Sequence, residues 1–374
     1  MSRRTALLLV LLAVVAFLLI VSPRHPAPPA PGPVAGLLQP AARPIGQPVE
    51  IKVPLGLPPV VAPADNPPTA ETIALGRRLY YDPVLSADNT VSCASCHDPE
   101  HGFADTTPTS AGVQKKLGGR NSPTVFNTAY LPLQFWDGRA PTLERQAEGP
   151  VQNPVEMANT LAEVEKRLNA DPSYRAEFER AFGPGLITYE MAGKAIASFE
   201  RSVLSGNSPF DRWYYGHDEK AVSDSVKRGF KVFTDAQKGN CAACHTVGDK
   251  YALFTDGKFH NVGVGADSRG FADNGRFDVT KDPKDRGLFK TPTLRHIAQT
   301  GPYMHDGSLK DFKQVVDFYI GGGNSNPNLD KEVHALDFLS GQERADLEAL
   351  LKSLTGERPR DAGPPPDLKT KAAK

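Results

Sequence analysis

Two five-residue strings carry the strongest chemical signal in the chain: Cys93-Ala-Ser-Cys96-His97 and Cys241-Ala-Ala-Cys244-His245. They contain all four cysteines. Two thiols three positions apart, followed at once by histidine, form the pattern that attaches a c-type haem. The sulfurs add to the two vinyl groups, and the histidine is left beneath the ring as an iron ligand. A structural zinc site needs four converging ligands and gives no reason for a histidine after each pair. A redox dithiol gives no reason for the duplication. The spacing therefore predicts two covalently bound haems, with His97 and His245 as proximal iron ligands.

These strings must be positioned by helices and shaped loops. Residues 75–97 (LGRRLYYDPVLSADNTVSCASCH) and 227–245 (KRGFKVFTDAQKGNCAACH) read as one unit repeated. Each opens with a basic, glycine-containing helix bearing aromatic residues and runs through a polar loop into its cysteines. Thr160-x-x-Glu163 and Ser340-x-x-Glu343 have the form of capping boxes and predict helices over 161–169 and 341–354. Further helices are expected over 188–204 and over 308–320, where Leu309, Phe312, Val315, Val316 and Tyr319 share a face. Alternating strands are scarce. The long Gly- and Pro-containing stretches 98–135 and 246–292 are expected to wrap a cofactor. The fold class that follows is mainly α, with two cytochrome c-like domains, each enclosing one covalently bound c-type haem.

Other motifs carry a resemblance. QFWDGRA (134–140), GPVQNPVEM (149–157), NSPT (121–124), TPTLRHI (291–297) and GPYMHDGS (301–308) accompany the two haem strings. Over residues 70–355 the chain resembles the bacterial di-haem cytochrome c peroxidase and MauG family. The resemblance implies an unequal pair of haems. The haem on His97 would react with hydrogen peroxide, and the haem on His245 would be six-coordinate and transfer electrons. Glu156 matches the family's distal acid–base carboxylate, and Gln146 the distal amide that positions peroxide. Pro150 matches a residue lining that pocket, and Trp136 the relay between the haems. Asn121, Thr300 and Pro302 match positions that bind a calcium ion through oxygen atoms.

Two positions matter for ligation. Many family members carry a capping histidine sixteen residues after the first proximal one; here that position is Val113, which cannot bind iron. His101 is too close to His97 in the chain and reads as a loop residue. The first iron is therefore expected to be five-coordinate and ready for peroxide, a feature resembling MauG. For the second iron the family's distal position falls on Tyr319, with Met304 as the alternative. A thioether raises the reduction potential, whereas a phenolate favours ferric and higher states.

Composition narrows the remaining choices. The 374 residues hold 43 basic and 43 acidic side chains, a zero formal charge that argues against a nucleic-acid binder. Met1-Ser-Arg-Arg precedes a nearly uninterrupted apolar run over 6–22, which predicts export by a signal or an inner-membrane anchor. The expected layout is that segment at 1–22, a Pro-rich linker at 23–70, and a peroxidatic haem domain at 71–205. An electron-transfer haem domain at 206–355 and a disordered tail at 356–374 complete it. The expected activity is periplasmic reduction of hydrogen peroxide. The electrons would come from a redox protein such as a cytochrome c or cupredoxin, or from a partner protein whose tryptophans are oxidised.

Overall fold

The glycines of the repeated unit explain how each half is built. In the first half, α1 (Ala70–Tyr81) crosses α6 (Tyr189–Ser202) at Gly76, where a Cβ would fall 1.9 Å from the Ala195 carbonyl oxygen. In the second, α8 (Asp224–Thr234) crosses α11 (Gly341–Ser353) at Gly229, where a Cβ would fall 2.0 Å from the Asp346 carbonyl oxygen. Only glycine permits backbones this close. The same crossing, made by corresponding residues, underlies the sequence repeat.

The computed structural model describes residues 42–366 and residue 368. It is mainly helical, as expected. Between α1 and α6 lie α2 (Leu143–Gln146), α3 (Glu148–Gln152), α4 (Leu161–Ala170) and α5 (Pro172–Phe182). The second half adds α7 (Pro209–Tyr214), α9 (Phe277–Thr280) and α10 (Phe312–Ile320). Strands are confined to two short antiparallel ribbons. One pairs β1 (Phe259–His260) with β4 (Phe289–Lys290); the other pairs β2 (Ala266–Asp267) with β3 (Gly270–Phe271). One apolar core gathers Leu75, Leu79, Val164, Leu168, Phe178 and Ile196, with Cys93 packed on it. The other gathers Phe233, Phe254, Phe312, Val316, Leu347 and Leu350, with Cys241 packed on it.

The helix ends follow the capping chemistry with one change. The Ser340–Glu343 box closes in both directions. At the other, the Thr160 hydroxyl accepts from the Glu163 amide, but the Thr160 amide donates to the Asn159 side chain at 2.9 Å. Asn159 is thus the acceptor that the box assigned to Glu163. The helix expected over 308–320 begins later, at Phe312, because Asp311 accepts from the Gln314 amide and caps it there.

Two segments differ from the expected layout. Residues 42–69 are not a free spacer but a strap laid across both halves. The Lys194 ammonium donates to the Ala42 carbonyl at 2.6 Å, and the buried Asn66 amide donates to the Glu144 carboxylate at 2.7 Å. Farther along, the Arg295 guanidinium donates to the Gly56 carbonyl at 2.7 Å. Proline lacks an N–H, but its carbonyls and those of its neighbours remain acceptors, and buried cations take them up. The tail is likewise docked as far as the described residues reach. The Arg358 guanidinium donates to the Pro99 carbonyl at 2.9 Å, and the Tyr81 hydroxyl donates to the Ala362 carbonyl at 2.6 Å. The apolar run at 6–22 and residues 23–41 lie outside the described residues. Among the described residues no helix is long and apolar enough to cross a membrane.

The strap is fixed by a fully buried ion pair. Arg295 donates through both terminal nitrogens to Asp211, each at 2.8 Å, and both side chains are inaccessible to solvent. Asp211→Ala would leave the guanidinium buried without its anion, an expected loss of about 3–5 kcal/mol. Breaking the exposed Lys166–Glu163 pair is expected to cost about 0–1 kcal/mol. Thermal unfolding of the two variant holoproteins checks the contrast.

Candidate functional site

In the first half, Cys93–Ser95 form a single 3-10 turn opened by Ser92, whose amide donates to the Ser95 hydroxyl oxygen at 3.0 Å. The turn carries on until the His97 amide donates to the Cys93 carbonyl at 3.0 Å. That places both sulfurs and the imidazole on one short arc. His97 Nδ1 donates to the Pro123 carbonyl at 2.9 Å. This bond fixes the tautomer and leaves the Nε2 lone pair for a metal. Burial pushes the His97 pKa down, so the ring is neutral, the form that ligates.

A cavity of about 440 Å³ opens over this arc. Its wall contains Cys93, Cys96, His97, Trp136, Gln146, Pro150 and Glu156. The residues expected to attach the first haem and those expected to serve peroxide therefore share one chamber. Both thiols are free of disulfide bonds. The donor set and the apolar part of the lining, which includes Leu143, Val151 and Met157, fit a haem. Among the described residues His97 is the only histidine in the wall. Val113 turns into the apolar core, 3% exposed. His101 points away to the surface, where its Nδ1 lies 2.8 Å from the Asp98 carboxylate.

Glu156 follows α3 in the loop that begins at Asn153. The Asn153 amide donates to Glu156 Oε1 at 2.6 Å. Burial pushes the Glu156 pKa up, opposed by that hydrogen bond and by the nearby Arg139. Gln146 ends α2, and its side-chain amide makes no hydrogen bond to the described residues. The Trp136 indole N–H donates to the Asn121 carbonyl at 2.9 Å, and the Trp136 carbonyl accepts from the Lys290 amide at 2.8 Å. Trp136 thus belongs to the first chamber by its side chain and touches the second half by its backbone.

The second string repeats the local geometry. The His245 amide donates to the Cys241 carbonyl at 2.9 Å, and His245 Nδ1 donates to the Phe254 carbonyl at 2.9 Å. Burial again keeps this ring neutral. Tyr319, near the end of α10, lies beside this string. Burial, and next the adjacent Cys241 and Cys244, push its phenol pKa well up. Met304 lies at φ +72° in the turn between Tyr303 and His305. The His305 ring stacks on Phe289 at 3.6 Å.

The expected calcium residues gather loosely at one face. Asn121 is buried, and its amide donates to the Thr107 and Pro108 carbonyls at 3.2 and 3.3 Å. Pro108 and Pro302 line one surface groove, and the Thr300 methyl lies 2.9 Å from where a Cβ on Gly102 would fall. Among the described residues no three His, Cys, Asp or Glu side chains cluster as a metal site.

Among the buried charged residues that the sequence analysis did not single out are Glu200 and Lys290. Glu200 lines the first chamber, and burial pushes its pKa up to about 8. Lys290 lies in β4, 7% exposed. Each sits next to an ordinary polar residue in the chain, and only the position of Glu200 among the apolar residues of α6 hinted at burial.

Comparison with known proteins agrees with this geometry. The di-haem cytochrome c peroxidase family matches residues 70–219, and the cytochrome c family matches residues 226–355. The chain is 39% identical over 297 residues to the methylamine utilization protein MauG of Methylophilus methylotrophus, covering 79% of this chain and 86% of that one. It is 36% identical over 304 residues to the cytochrome c551 peroxidase of Nitrosomonas europaea, covering 79% and 83%. The crystal structure of a MauG-like protein associated with microbial copper homeostasis superposes with a TM-score of 0.72 at 34% identity, covering 82% of this chain and 95% of that one. With both haem-binding arcs in place and relatives matched along most of their length, the chain belongs to the di-haem cytochrome c peroxidase and MauG family of oxidoreductases.

Proposed function

We propose that this enzyme reduces hydrogen peroxide in the chamber above His97 and recovers the electrons from a protein donor through the second half. The observation that carries the reading is the chamber itself. It holds Glu156, Gln146, Pro150 and Trp136 together with His97, and among the described residues no other histidine to close the iron. When bound, the haem supplies the metal that binds peroxide and gives up electrons to it.

The protein side chains manage protons and position. Reduction of H2O2 to two waters takes two electrons and two protons. One oxygen must lose its proton while the other gains one before the bond between them breaks. Glu156 Oε2, which has no donor among the described residues, takes the first proton and returns it. Asn153 holds Oε1, so the carboxylate cannot rotate away. The Gln146 amide orients the peroxide. Val151 and Met157 keep bulk water from the wall. Trp136, pinned at its indole and its carbonyl, is the aromatic link toward the second half.

The second iron takes His245 and Tyr319 as ligands in this reading, supported by the burial of Tyr319 beside Cys241 and Cys244. Asn121, Thr300 and Pro302 bind calcium, supported by the carbonyl-rich surroundings of Asn121. Attachment of two c-type haems and the apolar run at 6–22 support export to the periplasm, with residues 6–22 as an anchor or a removed signal.

A second reading of the donor follows from Val113 and Tyr319. An uncapped first iron and a hard phenolate both favour strongly oxidised states, suited to oxidising side chains of a partner protein. Steady-state assay with peroxide and reduced cytochrome c separates the two. Saturable oxidation of the cytochrome is expected for the peroxidase. Rapid reaction with peroxide but no cytochrome turnover would favour the protein-modifying reading.

A further inference from the structure

The histidine of the second haem string is tied to a run of aromatic rings that leads to the surface. His245 Nδ1 donates to the Phe254 carbonyl at 2.9 Å. The fully buried Phe254 ring meets the equally buried Phe210 edge-on, with centroids 5.2 Å apart. Phe210, in α7, meets Trp213 of the same helix at 5.7 Å and Tyr214 at 5.4 Å. These are contact spacings for aromatic pairs. Trp213 and Tyr214 are half-buried, so the run ends at solvent. Electron transfer weakens steeply with distance, and here contiguous π systems fill the way from His245 to the surface.

Core packing explains the two phenylalanines but not the residue that ends the run. An indole can give up one electron and keep its proton, whereas a phenol must release its proton as it is oxidised. The neighbouring Tyr215 hydroxyl donates to the Gly248 carbonyl at 2.9 Å, and a carbonyl cannot take that proton. The Glu219 carboxylate, which also holds Lys227 at 2.6 Å, faces the Trp213 indole. A negative charge beside the ring favours the positive charge that a lost electron leaves behind. The only other tryptophan, Trp136, belongs to the first chamber. We propose that Trp213 is the redox station through which electrons from the protein donor enter the second half. In each transfer one electron leaves the indole for the oxidised haem attached at Cys241 and Cys244, and one electron from a reduced redox protein refills the indole. No bond forms or breaks, and two transfers match the two electrons that one H2O2 takes up.

The inference rests on the peroxide reading above, and its test separates the two. The holoprotein is mixed with H2O2 without a donor, freeze-quenched for EPR, and digested for peptide mass spectrometry. A tryptophanyl radical is expected that is lost in Trp213→Phe and kept in Tyr214→Phe. With no donor to refill the indole, a second electron leaves, water adds to the ring and two protons depart. The peptide carrying Trp213 should therefore gain one oxygen, and reduced cytochrome c present during mixing should suppress the gain. Trp213→Phe is expected to lose most of its cytochrome c oxidation while its haems respond to peroxide as fast as those of the wild type, since residue 213 lies outside the first chamber. Haems that respond to peroxide, with the radical retained in Trp213→Phe and no oxygen gained at Trp213, would overturn this inference alone. Should Trp213→Phe not load haem, the wild-type peptide map decides, and a Trp213 peptide without added oxygen overturns the proposal. Wild-type haems indifferent to peroxide would overturn the peroxide reading, and this inference with it.

Discussion

Glu156→Gln is expected to lower kcat/KM for hydrogen peroxide by about 10²–10⁴-fold, the range for loss of a positioned general acid–base group. The resting haem spectra should not change, because Glu156 touches neither histidine arc. Gln keeps the shape and the Asn153 contact but cannot carry the proton from one peroxide oxygen to the other. The pH profile gives a second reading of the same group. Glu156 must be ionised to accept the proton, and burial raises its pKa. The rate should therefore fall as pH drops through a value above that of an ordinary glutamate. Asn153→Ala removes a hydrogen bond to the carboxylate that opposes this rise, so the acid limb should move farther up. Stopped-flow rates of peroxide binding across pH measure both effects. A Gln variant as fast as the wild type would remove Glu156 from the chemistry.

The other large effect concerns the second iron. Tyr319→Phe is expected to abolish the low-spin ferric signal and leave a high-spin centre in its place, while Met304→Leu leaves the signal intact. The phenol of Tyr319 lies beside Cys241 and Cys244, and Phe fills the same volume without an oxygen. Tyr319→Met should retain a low-spin centre with a raised potential, since a thioether favours ferrous iron. The reverse pattern, with the signal lost only in Met304→Leu, would give the ligand position to Met304. EPR of the purified ferric variants distinguishes the two.

The haem arcs were legible because their chemistry is local. Two cysteines and a histidine within five residues need only one turn of backbone to meet. The repeated unit was legible for a related reason: Gly76 and Gly229 occupy the same place in it, and the close backbone crossing seen in the structure demands both. The strap at 42–69 was not legible. Its prolines read as a spacer, while the groups that hold it, Lys194 and Arg295, lie more than a hundred residues away. The tail escaped for the same reason, since Arg358 and Ala362 find their partners at Pro99 and Tyr81. Glu200 and Lys290 show the limit most clearly. A charged side chain reveals its burial only when distant segments close over it.

The central claim is the difference between the two irons, one open in the chamber of Glu156 and the other closed on both faces. EPR of the resting ferric holoprotein, recorded before and after mixing with H2O2, tests it most directly. The expected result is one high-spin and one low-spin signal, both changing on peroxide addition without prior reduction. Two low-spin signals, unaltered by peroxide, would contradict it.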